Sequence, residues 1–350
     1  STAMGVSSVA SGEASVAIGN VAQATQIRAT AVGNRANAAQ DSASAFGNRA
    51  NASAQFATAI GDNSHASAAA VAVGTHANAS AQDSVAVGNN SNGSGINSIA
   101  IGKDTVASKD HALAMATEAK ASGVQSIAIG SYSNASADSV VSIGQNSKAG
   151  GTVNPATGKG PGTAAVAVGY LADASAANTF AGGKSATATV DNAVALGVSS
   201  SATSRNAMAL GGYAAASGER AAAVGAASKA SGTASFAGGT SANASGINSV
   251  AIGGAMDATK AAQAIGDYSI AQGTNSTSKQ QSDIAIGTNA AANGTDTPAG
   301  SSTAQGAGTA VAIGADSNAT GVSTIALGKA AQATQNGAVA VGALANATNK

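Results

Sequence analysis

A glycine returns every fourteen residues along this 350-residue chain, each time after the same kind of tetrapeptide: Ser15-Val16-Ala17-Ile18-Gly19, Ser84-Val85-Ala86-Val87-Gly88, Ser126-Ile127-Ala128-Ile129-Gly130, Ser249-Val250-Ala251-Ile252-Gly253. So short a period allows one coil of backbone per repeat, too little to bury an apolar face alone, so the repeats must stack as a solenoid. Composition points the other way, because Leu, Ile, Val and Phe make up only about 15% of the residues, a share associated with disorder. Disorder also needs high net charge, and here 16 basic residues balance 16 acidic ones. The same neutrality removes the basic footprint of a nucleic-acid or anionic-lipid partner. Without cysteine there is neither a disulfide framework nor thiolate chemistry. No apolar run reaches the roughly 18 residues that span a bilayer, and no charged-then-apolar leader opens the chain.

With each repeat glycine as position zero, Gly19 to Gly342 gives 22 coils, with Ala116 standing for glycine in one. The residue just before the glycine is large and apolar in 20 of 22 coils, and the residue three before it in 17 of 22. Their alternation predicts a half-buried strand with both side chains in the core. Phe180 with Gly182, Phe236 with Gly238, and Ser44 with Phe46 exchange bulk between these two positions, as a shared close-packed interior demands. Gln263 falls at this core phase in a thirteen-residue coil counted from Gly253 to Gly266, which predicts local distortion. After the glycine a turn leads to a second, smaller strand whose fifth residue is Ala in 21 of 22 coils, with Gly93 the remainder. Its polar positions, such as Asn37, Asn51, Asn78, Asn134 and Asn243, are expected to face water. The residue two before the glycine is Ala in 21 of 22 coils, Ser142 being the exception. By alternation it faces outward, so a smooth alanine strip is expected to pack against another copy of the chain. At about 4.8 Å per coil the stack would extend roughly 105 Å.

Three interruptions add 11 residues between Gly144 and Gly169, 7 between Gly266 and Gly287, and 13 between Gly287 and Gly314. They predict outward loops near 145–165, 267–283 and 288–309, where function tends to sit. Pro155, Pro161 and Pro298 all fall inside two of them, as expected of residues that cannot donate to a central ladder.

Candidate chemistry is sparse. His65, His76 and His111 share no column, acidic residues lack paired spacing, and the calcium-binding nonapeptide of other β-rolls is missing. Gly182-Gly183-Lys184-Ser185 imitates the end of a phosphate loop, but Asn178 stands where its first glycine is required. No catalytic, metal or cofactor residue is therefore assigned. The most informative exposed column is the second residue after the glycine, read as holding Arg35, Arg49, Tyr132, Leu171, Tyr213 and Tyr268. Exposed Tyr and Arg are favoured in binding hot spots, so these six form the candidate recognition surface, against the plainer reading of a solvated rim.

The repeated Ser-Val-Ala-Ile-Gly followed by small-residue segments such as Asn134-Ala135-Ser136 resembles the head repeats of the trimeric autotransporter adhesins, the YadA-like family of Gram-negative surface proteins. The resemblance covers essentially the whole chain. It implies an all-β, left-handed parallel β-roll of about 14-residue coils, assembled as a homotrimer. It further implies a non-enzymatic head held outside the outer membrane at the bacterial surface, attaching to host cells or extracellular matrix. Full proteins of this family add a stalk and a C-terminal membrane anchor; neither is expected within residues 1–350, which read as a single head whose membrane link would be that anchor. The alternative is a passive spacer or surface coat with adhesion elsewhere in the fibre.

Overall fold

The computed structural model describes residues 1–151, 163–294 and 309–348. Each coil contains a three-residue strand and a two-residue strand, beginning with Thr2–Met4 and Val9–Ala10 and ending with Val339–Val341 and Asn346–Ala347. Long strands pair in parallel with long strands of adjacent coils, and short with short. The register advances one repeat at a time: Val16 pairs with Thr30, Ala17 with Ala31, Ile18 with Val32. Contacts divide the chain into two units, Ser1–Asn178 and Thr179–Lys350. Twelve long strands lie in the first and eleven in the second, one more coil than the sequence count because Thr2–Met4 pairs with Val16–Ile18. Apart from one 3-10 turn, Ala258–Lys260, no helix occurs among the described residues. The solenoid of fourteen-residue coils is thus observed.

The direction of the side chains is the reverse of the sequence expectation. The alanine column is the core: Ala17, Ala31, Ala100, Ala128 and Ala251 are fully buried. Their large neighbours point outward, with Ile18 36% and Leu196 50% exposed. The reason is the width of the coil. Turns of only a few residues join its two strands, so the facing backbones lie too close for a branched side chain between them. Ser142, in the long strand, and Ser147, just before the short strand of the same coil, place their hydroxyl oxygens 2.8 Å apart across the interior. Many buried serines at the core's edge satisfy themselves locally, as Ser15 Oγ donating to the Gly12 carbonyl at 2.8 Å and Ser249 Oγ to that of Gly246 at 2.7 Å, whereas the hydroxyls of Ser98, Ser133, Ser235, Ser269 and Ser278 find no partner among the described residues. Alanine burial offers little apolar area per residue, so the backbone ladder matters more here than in a globular core. It continues around the turns: the Gly33 N–H donates to the Ile18 carbonyl and the Arg35 N–H to the Asn20 carbonyl, both at 2.8 Å.

The repeat glycine has two reasons to be glycine. Gly33 lies at φ +140°, and a Cβ there would stand 2.2 Å from the Gly47 carbonyl oxygen in the next coil. Ala116 occupies the same position with φ pulled to +99°, against +131° at Gly102 and +120° at Gly130. Ala116→Gly is expected to relieve this strain and stabilise the chain by about 1 kcal/mol, seen as a raised midpoint in thermal unfolding.

The second interruption lies elsewhere than expected. Residues 267–283 are regular: Ile270–Gln272 pairs with Val250–Ile252 and with Ile284–Ile286, and the repeat glycine is Gly273, not Gly266. The extra residues fall within 254–262, before the short strand Gln263–Ala264, and include the 3-10 turn. Gln263 is therefore a short-strand residue, and the thirteen-residue coil instead runs from Gly61 to Gly74, where Ala66 pairs with Ala79. The other two interruptions follow the short strands Lys148–Ala149 and Ala291–Ala292, and much of each, with all three prolines, lies outside the described residues.

Candidate functional site

The outward long-strand columns form one face. In the twelve coils of the first unit, rows such as Val85–Val87, Ile99–Ile101, Leu113–Met115 and Ile127–Ile129 lie in register, half-exposed. Among the described coils these two columns contain no charged residue. Bulk exchange occurs as the sequence suggested, but on this outer face. The Phe180 ring covers Gly182, where a Cβ would meet its Cε1 at 2.7 Å, and Phe236 covers Gly238 likewise at 2.8 Å. The exchange keeps the face level. A rung spacing of about 4.8 Å and a strand width of about 10 Å give each unit roughly 500–600 Å² of this surface, the upper end of the largest apolar patch on a typical monomer. The short-strand face is polar, with amides stacked along it: Asn37 donates to Asn51 at 3.1 Å, and Asn78 to Asn92 at 3.2 Å.

All six candidate adhesive residues are exposed, and all lie in turns at positive φ, between 56° and 61°. Five occupy the turn after the repeat glycine. Arg35 and Arg49 stack on adjacent coils with no ion pair among the described residues, and Asn146 lies between Tyr132 and Leu171 on one ridge. Tyr213 lies in the second unit. Tyr268 does not belong to this column. With Gly273 as the repeat glycine it falls in the opposite turn, its N–H donating to the Ile247 carbonyl as that of Asn97 does to Gln82. The structure thus gathers Arg35 with Arg49 and Tyr132 with Leu171, but does not gather the six into one site.

Sequence reading missed what several acidic residues do. Asp110, Asp138 and Asp267 accept the backbone N–H of Ile96, Val124 and Ile247 in the preceding coil, at 2.9, 2.8 and 2.8 Å. They lock the turn after the short strand, and their signal is a Gly-Ile or Gly-Val pair one coil earlier. Asp283 is different: it replaces the small core residue four before the glycine and is fully buried. Its carboxylate accepts the N–H groups of Gln280, Gly294 and Ala310, the last two at the roots of the third interruption. Val140, the largest fully buried side chain described, stands at the same position beneath the first interruption. Thr179 and Thr324 are also buried at this position, in coils followed by regular ones, so bulk alone does not mark a widened turn.

Burial raises the Asp283 pKa above the ordinary carboxylate value, outweighing the lowering by its backbone donors. The folded chain then holds this proton to a higher pH than the unfolded chain does, so stability falls as pH rises between the two values. Thermal unfolding from about pH 3 upward is expected to show this fall, and Asp283→Asn to flatten it.

No described group of three or more His, Cys, Asp or Glu is arranged to hold a metal, and no described helix is long and apolar enough to cross a membrane. A groove of about 370 Å³ lies under the 3-10 turn, lined by Lys229, Ser241, Asn243, Ala258 and Gln263.

A coil with an alanine core, a mostly apolar outer face and, in nearly every coil, a glycine in the turn after the long strand defines a head-type β-solenoid. The family model for the YadA head domain repeat (2 copies) matches most of the chain, at residues 1–22, 24–91, 94–115, 121–147, 188–214, 216–255, 264–297 and 306–345. The chain belongs to that family, the YadA-like heads of trimeric autotransporter adhesins. Fold and family are those of structural adhesins rather than enzymes, and the family is one of surface-exposed passengers. No curated protein matches the chain.

Proposed function

We propose that this chain is one adhesin head, displayed outside the outer membrane of a bacterium, in which three copies wind left-handed and lie side by side through the outer long-strand face. The carrying observation is that face: mostly apolar, uncharged and level along the coils of each unit, while the opposite face is solvated. A surface of this kind needs a cover, and a partner that matches a fourteen-residue repeat coil for coil is another copy of the same repeat. Adhesion to host cells or matrix falls to the turn ridges that remain at the rim, with Arg35 and Arg49, and Tyr132 and Leu171, as paired contacts. Each contact is weak, and three copies presenting them together would gain strength by multivalency.

Light scattering across a dilution series tests the assembly: a stable species near three times the 32.4 kDa chain mass is expected, and a folded monomer at every concentration would refute it. Binding of that species to immobilised matrix proteins and to cells tests adhesion, with Arg35→Ala/Arg49→Ala and Tyr132→Ala/Leu171→Ala as comparisons. A second reading, a passive spacer, is favoured by the scatter of the candidate residues, and it predicts no binding by the assembled head.

A further inference from the structure

Gln272 is the one polar side chain in the described column just before the repeat glycine, where Ile, Val, Leu, Met or Phe otherwise stand and Phe-covered glycines take two places. In register it lies between Ile252 and Ile286. The preceding Ala271 is buried and Ile270 shares the outward face, so the strand holds the amide on the apolar surface itself. Gln272 is exposed, and no described residue hydrogen-bonds its side chain; its backbone carbonyl continues the ladder from the Gly287 N–H at 2.7 Å. An aliphatic residue would suit this strand position better.

We propose that Gln272 is a register lock for self-association of this face. The inference rests on the side-by-side assembly proposed above. Stacked coils of near-identical shape specify register weakly, since a slip by one coil sets aliphatic rows against aliphatic rows again. In a parallel symmetric assembly each Gln272 meets its counterparts, its Nε2–H donating to the Oε1 of the next copy around the axis. A slip by one coil instead sets the amide against the partner's Ile252 or the partner's Ile286, where it is buried without a partner. The device costs some stability and gains specificity, as a single polar layer does in a coiled coil.

The absence of cysteine allows a direct test. Ile286→Cys and Ile313→Cys lie on adjacent coils of the same column. The two variants, one carrying a size tag, are co-refolded, weighed by light scattering and oxidised. With Gln272 present, disulfides are expected only between like positions. With Gln272→Ile, the assembly is expected to melt at a higher temperature and unlike disulfides to rise at least about fivefold. Like-only disulfides in the Gln272→Ile background would overturn the register lock, as would an assembled protein that forms no disulfide at this column. A chain with Gln272 that stays monomeric would instead show that the side-by-side assembly itself is wrong, and the lock with it.

Discussion

Ala128→Leu is expected to open the coil that carries it, at a cost of about 3 kcal/mol or more. Ala128 is fully buried and pairs in register with Ala114 and Ser142. In that next coil the Ser142 hydroxyl already touches Ser147, at the start of the opposite side of the coil, which shows how little depth the interior has. Three added carbons find no void there, and neither strand can retreat without breaking the ladder to the coils on both sides. In a globular core, neighbouring side chains share such a strain by changing rotamer. Alanine has none to change, and turning a serine hydroxyl frees almost no volume. Because each coil touches mainly its neighbours, the damage should remain local. Hydrogen exchange is expected to accelerate at residues 113–149 while distant coils keep their protection. Unchanged exchange in this segment would mean the interior is wider than described.

Periodicity made the strands, their spacing and the turn glycines legible, because one steric requirement repeats in every coil. Orientation was not legible from alternation alone. A period of two states that Ala128 faces away from Ile127 and Ile129, but leaves open which side is the interior. The usual rule, large apolar side chains inward, fails here because the two strands lie too close for them; the invariance of the alanine was the signal, since only a position with no spare volume excludes every larger residue. The misplaced second interruption has a related cause. Gln272 breaks the aliphatic rule at its position, so Ile265-Gly266 imitates the repeat better than Gln272-Gly273 does, and Tyr268 followed that error into the wrong turn. The buried role of Asp283 lies in partners brought together across a long interruption, which local spacing does not encode.

Ile101→Lys combined with Ile129→Lys is expected to do the opposite of the leucine variant: leave the coils folded and abolish self-association. Both side chains point away from the alanine core and remain partly exposed in the single chain, so each lysine can reach water there. They lie two coils apart, about 9.6 Å, which keeps their mutual repulsion small in the monomer. The loss in strand preference is under about 1 kcal/mol per site. In a side-by-side assembly the same positions lose their water. Each substitution removes roughly 1 kcal/mol of apolar burial per copy, since only part of each isoleucine is left to cover, and brings ammonium groups from several copies toward one another without a counter-charge. An association free energy reduced by this much at two layers falls by well over 100-fold in affinity. Light scattering should therefore move from the assembled mass to 32.4 kDa, with an unchanged far-ultraviolet circular dichroism spectrum. Alanine at position 128 and isoleucine at 129 are adjacent in one strand, and their predicted phenotypes are separable: one change destroys the coil, the other its partnership. Should the lysine variant unfold and the leucine variant fold, the inside and outside of the coil have been exchanged; should the lysine variant stay assembled, the copies meet through another face.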